Sequence, residues 1–148
     1  LACLISDGQI APRWSKPPKV WITYLCVFLG AAVGGIGRYG LSGVVANWIG
    51  ATFPWGTLIV NVTGCFVIGV FNTLTGPDGI FLVPANLRVF VMVGICGGYT
   101  TFSSFSLETL NLARNGEWFA SGAYILASTV FCLVGVWLGH IAGILINR

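Results

Sequence analysis

The chain has 148 residues, 56% of them hydrophobic and only 7% charged, with a formal net charge of +3. A soluble domain carries about a quarter charged residues, so a soluble protein is excluded and a membrane protein is indicated. The length holds about four spans of ~20 residues, and no basic cluster suits nucleic acid.

Residues 1–19 read as a polar tail, with Pro12, Pro17 and Pro18 among Arg13, Lys16 and Lys19. Such a stretch does not span a bilayer, and Trp14 and Trp21 suit its interface. The chain does not begin with methionine, so a processed or trimmed start is expected. Residues 20–148 read as a four-helix transmembrane channel domain.

The first span begins near Val20 or Trp21, and the charge-free run ends at Arg38. That run is barely long enough, so the helix is expected to continue toward Trp48. Gly30 and Gly34 form a small-xxx-small face for close helix approach. Arg38 has two readings: a snorkelling, topology-setting arginine, or a positive charge in a water-filled entrance that attracts anions.

Phe53-Pro54-Trp55-Gly56-Thr57 is a helix start, and the second span runs from about Pro54 to Leu74. Asn61 lies about two turns inside. An amide in hydrocarbon needs partners: an anion, an exposed carbonyl or a neighbouring helix. Thr75-Gly76-Pro77-Asp78-Gly79 is a turn cluster.

The third span starts near Ala85 to Arg88. Its apolar run is interrupted by Gly97-Gly98-Tyr99-Thr100-Thr101-Phe102-Ser103-Ser104-Phe105-Ser106-Leu107-Glu108. The break is expected at Gly97, roughly 14 Å along the helix from Arg88 and therefore near mid-membrane. An unwound turn at that depth frees carbonyls and amides that protein, ion or water must satisfy. A second half-helix is expected from about Thr101 to Leu112. Phe102 and Phe105 share one face of it, with Ser103 and Ser106 on a neighbouring face and Ser104 and Glu108 on another. An ion pathway and a glycine-kinked packing helix both fit this pattern.

The fourth span covers about Trp118 to Ile146. Tyr124 and Ser128 share one face, and Gly135, Gly139 and Gly143 make a second thin stripe. Four spans put both termini on one side. Five basic residues (Arg13, Lys16, Lys19, Arg88, Arg148) then fall with the termini and two (Arg38, Arg114) opposite. This bias favours termini in the cytoplasm or its organellar equivalent. It comes wholly from the tail, so the core alone is compatible with antiparallel pairing of identical chains. A bundle of four helices is also too thin to enclose a pathway, and a two-fold dimer is the simplest remedy.

The five cysteines are scattered without metal-site spacing and read as small packing residues. No phosphate loop, dinucleotide fingerprint or zinc-protease motif is present. The only acidic residues are Asp7, Asp78, Glu108 and Glu117, too dispersed for a paired-carboxylate enzyme.

Three stretches resemble the family of small fluoride channels called Fluc or CrcB: Gly34-Gly35-Ile36-Gly37-Arg38-Tyr39, Trp55-Gly56-Thr57-Leu58-Ile59-Val60-Asn61, and Gly97 to Glu108. The resemblance extends from about residue 22 to 146. It implies an all-α membrane protein of four transmembrane helices, the third broken near mid-membrane, pairing as an antiparallel, dual-topology homodimer in the cell membrane. It implies passive fluoride export, with no enzymatic activity, through two pores built from both subunits. By the same resemblance, Asn61, Phe102 and Phe105 line the pore. Ser103, Ser104, Ser106 and Glu108, with Tyr124 and Ser128, form its polar side. Arg38 stands in the vestibule, and the main-chain carbonyls of Gly97 and Thr100 hold a structural Na+. Ser104 stands where many members have threonine and keeps the hydroxyl.

The runner-up is a small proton-coupled multidrug exporter, also a four-span antiparallel dimer. Its titrating carboxylate would have to be Glu108, roughly 16 Å past the break and nearer an interface than the midplane. A structural subunit of a larger membrane complex is the third reading.

Overall fold

The computed structural model describes residues 20–50 and 52–148; the expected tail, with Trp14 and Cys3, lies outside them. Four stretches are long and apolar enough to cross a membrane: Val20–Ile49, Trp55–Leu74, Ala85–Arg114 and Trp118–Ile146. They comprise α1 (Val20–Ile49), α2 (Trp55–Leu74), α3 (Ala85–Arg88), a π-helical segment (Val89–Cys96), α4 (Gly97–Tyr99), α5 (Phe102–Arg114) and α6 (Trp118–Ile146). As expected, α1 runs past Arg38, which therefore sits well inside a helix and not in a connection.

Each long helix stops for a local reason. Gly50 follows α1 at φ +97° and donates its N–H to the Ala46 carbonyl. That left-handed conformation suits glycine at a helix end. At the end of α2, the Thr75 amide and hydroxyl both donate to the Phe71 carbonyl. The Arg88 guanidinium, from α3, donates to the Thr75 carbonyl and to Asn72 Oδ1. A cation thus meets the negative end of α2. Gly116, at φ +85°, turns the chain between α5 and α6.

Packing follows the glycine stripes. A methyl group at Gly34 would lie 2.2 Å from the Ile95 carbonyl oxygen, and one at Gly30 would lie 2.5 Å from that of Phe90. On the other side of the bundle, a methyl at Gly139 would lie 2.2 Å from the Phe66 carbonyl oxygen. So α1 lies backbone-to-backbone on the third span, and α2 on α6, as small residues permit inside a bilayer. Few side chains are enclosed: Tyr124 and Val60 are fully buried, and Leu58, Leu112 and Tyr124 form a small core with Phe53, Val62 and Phe105 against it. Most large apolar side chains face outward, which suits lipid or another subunit.

The third span corrects one expectation. Gly97–Tyr99 is helical, and the interruption falls at Thr100 and Thr101, both extended. Glycine lowers the cost of a break without forcing one. The chain leaves the helix where side chains offer its backbone other partners, as the site below shows. The π-helical segment before it was not expected.

The close contacts set a stability test. Gly34→Ala should cost about 3 kcal/mol by forcing apart two backbones. Gly35→Ala, with nothing within 4 Å of the added methyl, should be neutral or slightly stabilising. Thermal unfolding of the detergent-solubilised variants measures the difference.

Candidate functional site

Three elements meet around the break. On α2, Thr57, Asn61 and Cys65 are spaced four apart and share one face. On α6, Tyr124, Ser128 and Cys132 repeat that spacing. The start of α5 brings Phe102 and Phe105 between them.

The break is closed by Asn61. Its Nδ2 donates to the Thr101 carbonyl at 3.1 Å, and its Oδ1 accepts from the Thr101 N–H at 2.8 Å. The side-chain amide thus pairs with one residue's backbone as a neighbouring strand would. The Thr101 hydroxyl accepts from the Ser104 N–H at 3.2 Å and so caps α5. In an unbroken helix, the Thr101 and Ser104 amides would donate to the carbonyls of Gly97 and Thr100. Both amides are engaged elsewhere, so these two carbonyls are relieved of their helical donors. Gly97 is exposed and Thr100 partly so. Among the described residues no three His, Cys, Asp or Glu side chains gather as a metal site. Main-chain oxygens are what the break offers a cation.

A cleft of about 340 Å³ opens beside the break. Its wall includes Asn61, Thr100, Thr101, Phe102, Phe105 and Ser128. The Phe102 and Phe105 rings are 5.2 Å apart and inclined at 49°. Phe102 is 78% exposed on the single chain, whereas Phe105 is half-buried and packs on Tyr124 at 5.2 Å. Ser128 is buried, and its Oγ has no hydrogen-bond partner.

Glu108 belongs to a different place. Thr57 Oγ1 donates to one carboxylate oxygen and the Tyr124 hydroxyl to the other, each at 2.7 Å. Both carboxylate oxygens are thus taken up by hydroxyl donors from other helices. Glu108 and Thr57 line a second cleft of about 370 Å³, together with Ser42, Thr52, Asn111 and Asn115. Tyr124 is enclosed between the two clefts and lines neither.

The remaining sequence-predicted residues are spread more widely. Ser103 and Ser106 are exposed, Ser106 donating to the Phe102 carbonyl and Ser103 paired with the Thr101 hydroxyl. Ser104 turns its hydroxyl to Thr101. Arg38 is partly exposed on α1, in the wall of neither cleft. Thr57 and Thr101 are the residues that the sequence reading did not assign to the site. The spacing of Thr57 and Asn61 was the signal for the first, and a hydroxyl three residues before Ser104 for the second.

Comparison with known proteins gives a consistent picture. A family model described as CrcB-like protein, Camphor Resistance (CrcB), matches residues 25–140. A protein of Opitutus terrae named fluoride-specific ion channel FluC is 59% identical over 124 residues, 84% of this chain and 94% of that protein. One of the same name from Rhodospirillum rubrum is 57% identical over 127 residues, 86% of this chain and 98% of that protein.

The Glu108 cluster is testable apart from any transport. Thr57→Val leaves a carboxylate oxygen short of a donor and should destabilise the protein by about 1–3 kcal/mol. Thr57→Ser keeps the hydroxyl and should lose less than half of that. Denaturation of the solubilised protein reads both.

Proposed function

Since the chain belongs to the CrcB family, and is thereby a fluoride-transporting channel and not an enzyme, we propose that it works as an antiparallel homodimer with two fluoride pores. It is a multi-pass protein of the cell membrane. The observation that carries the pore assignment is the unpartnered, buried Ser128 hydroxyl beside Asn61, Phe102 and Phe105 in one cleft.

Fluoride is small and strongly hydrated, so a path must replace its water with donors. The Ser128 hydroxyl has a proton to give. Asn61 commits one amide hydrogen to the Thr101 carbonyl, and its second serves the anion. The phenylalanine rings present positive edges, which face an anion without trapping it. Conduction needs binding weak enough to release. Ser103, Ser104 and Ser106 extend the polar side along α5, toward Glu108 and Tyr124. Arg38 supplies positive charge at the vestibule. The second subunit completes each path, because Phe102 stands open on the single chain.

The same dimer gives the break its cation. Gly97 and Thr100 from both subunits provide four carbonyl oxygens, a set that suits a hard monovalent ion such as Na+. Calcium and magnesium usually recruit carboxylates, and none is near in sequence. The ion offsets the cost of an anion nearby in a low-dielectric interior. The exporter reading needs Glu108 to exchange protons with a substrate. Both its oxygens are instead occupied by hydroxyl donors from α2 and α6, away from the phenylalanine cleft.

Fluoride efflux from liposomes tests the path. Phe102→Ile, Phe105→Ile and Ser128→Ala should each reduce flux about tenfold or more while the dimer still forms. Normal flux in all three would leave these residues as packing only. The cation has its own test. Replacing sodium by a large organic cation on both sides should abolish flux as the bound ion leaves, and restoring sodium should recover it. Persistent flux in sodium-free protein would overturn the assignment.

A further inference from the structure

Two thiols of the cleft take no part in the reading above. Cys65 closes the α2 stripe of Thr57 and Asn61, and Cys132 closes the α6 stripe of Tyr124 and Ser128. Both line the cleft, and both are half-buried free thiols. They stand on the two helices that pack against each other, α2 and α6, in the wall of the same cleft. The helices touch at this level: a methyl group on Gly135 would lie 3.7 Å from Cys65 Cβ. The tight seat of Gly139 against the Phe66 carbonyl holds that spacing one turn further on. The two thiols are therefore preorganised by the close packing of α2 on α6. Cys96 also neighbours Cys65, but it is 4% exposed and lies outside the cleft wall.

The donor set selects the guest. A structural zinc site takes four ligands, and among the described residues no third His, Cys, Asp or Glu joins this pair. Two thiolates alone suit soft cations that accept linear coordination, such as Cu+, Ag+ and Hg2+. We propose that Cys65 and Cys132 form a two-thiolate site for a soft, linearly coordinated cation, and that occupation of this site closes the cleft to fluoride. Binding releases both thiol protons and forms two metal–sulfur bonds, with no change of oxidation state. Mercuric chloride loses its two chlorides in the same step. The bridge sits one helical turn from Asn61 on α2 and one turn from Ser128 on α6. It fills the cleft with a heavy ion and staples the two helices together. A monovalent guest also leaves a net negative charge there, which repels an anion.

The closure rests on the reading of this cleft as the fluoride path; the metal site itself does not. The experiment therefore has two readouts on the full chain reconstituted in liposomes, with mercuric chloride as the probe. Intact-mass spectrometry should find one mercury per chain in place of two hydrogens. Fluoride efflux should fall to the protein-free rate and recover with excess dithiol. Cys65→Ser and Cys132→Ser, each compared with its own metal-free flux, should raise the half-inhibitory concentration about 100-fold, as loss of one of two linked ligands does. Cys96→Ser should behave as the unmodified chain does. Equal mercury retention in Cys65→Ser or Cys132→Ser overturns the site, as does loss of the bridge in Cys96→Ser. Full flux with mercury bridged overturns the closure and leaves the metal site standing.

Discussion

The Asn61–Thr101 pair is the constraint from which the rest of the site follows. A helix interrupted in hydrocarbon must find partners for its freed backbone groups, each of which costs several kcal/mol if abandoned. Asn61 supplies a donor and an acceptor at the separation of a peptide group, so it satisfies both groups of Thr101 at once. That fixes where the helix stops and from where α5 restarts. It also fixes the direction in which Phe102 and Phe105 point. An aliphatic residue at position 61 would leave both Thr101 groups unpaired, and a serine could not reach both.

Around that pair the bundle divides the labour. Backbone-to-backbone contact at glycines holds α1 to the third span and α2 to α6. Beyond the break, α5 is tied by side chains instead. Ser121 donates to the Thr109 carbonyl, Thr57 and Tyr124 both reach Glu108, and Phe105 stacks on Tyr124. The glycine-packed pair α2 and α6 is therefore the fixed frame that carries Thr57, Asn61, Tyr124 and Ser128, and α5 is held to that frame by directional bonds. A half-helix fastened in this way keeps its orientation without filling the space a permeating ion needs.

Much of this was legible in the sequence. Hydropathy and turn residues placed all four spans, because a bilayer demands long apolar runs and leaves few alternatives. The glycine stripes announced the two packing faces. The need of Asn61 for a partner was visible, and an exposed carbonyl was among the partners named. The depth of the break was misread by three residues, since glycine pairs suggest interruption but Thr101 causes it. Glu108 looked like part of one polar track; its partners lie on two other helices, and only three-dimensional packing brings Thr57 and Tyr124 to it. The π-helical segment left no signal, because its eight residues are uniformly apolar and carry no periodicity to betray a wider coil.

That segment has a consequence for how such a chain can change. In a π-helix each hydrogen bond encloses one residue more than in an α-helix. A coil that turns less per residue takes up an extra residue along its length. If one residue between Val89 and Cys96 were deleted and the rest tightened to α geometry, the residues after it would keep nearly their present facing, with Thr101 still turned toward Asn61. Loss of one residue is therefore easier to absorb here than in the α-helical spans, where it would turn everything after it by about 100°. The third span carries its slack inside the membrane, just ahead of the break.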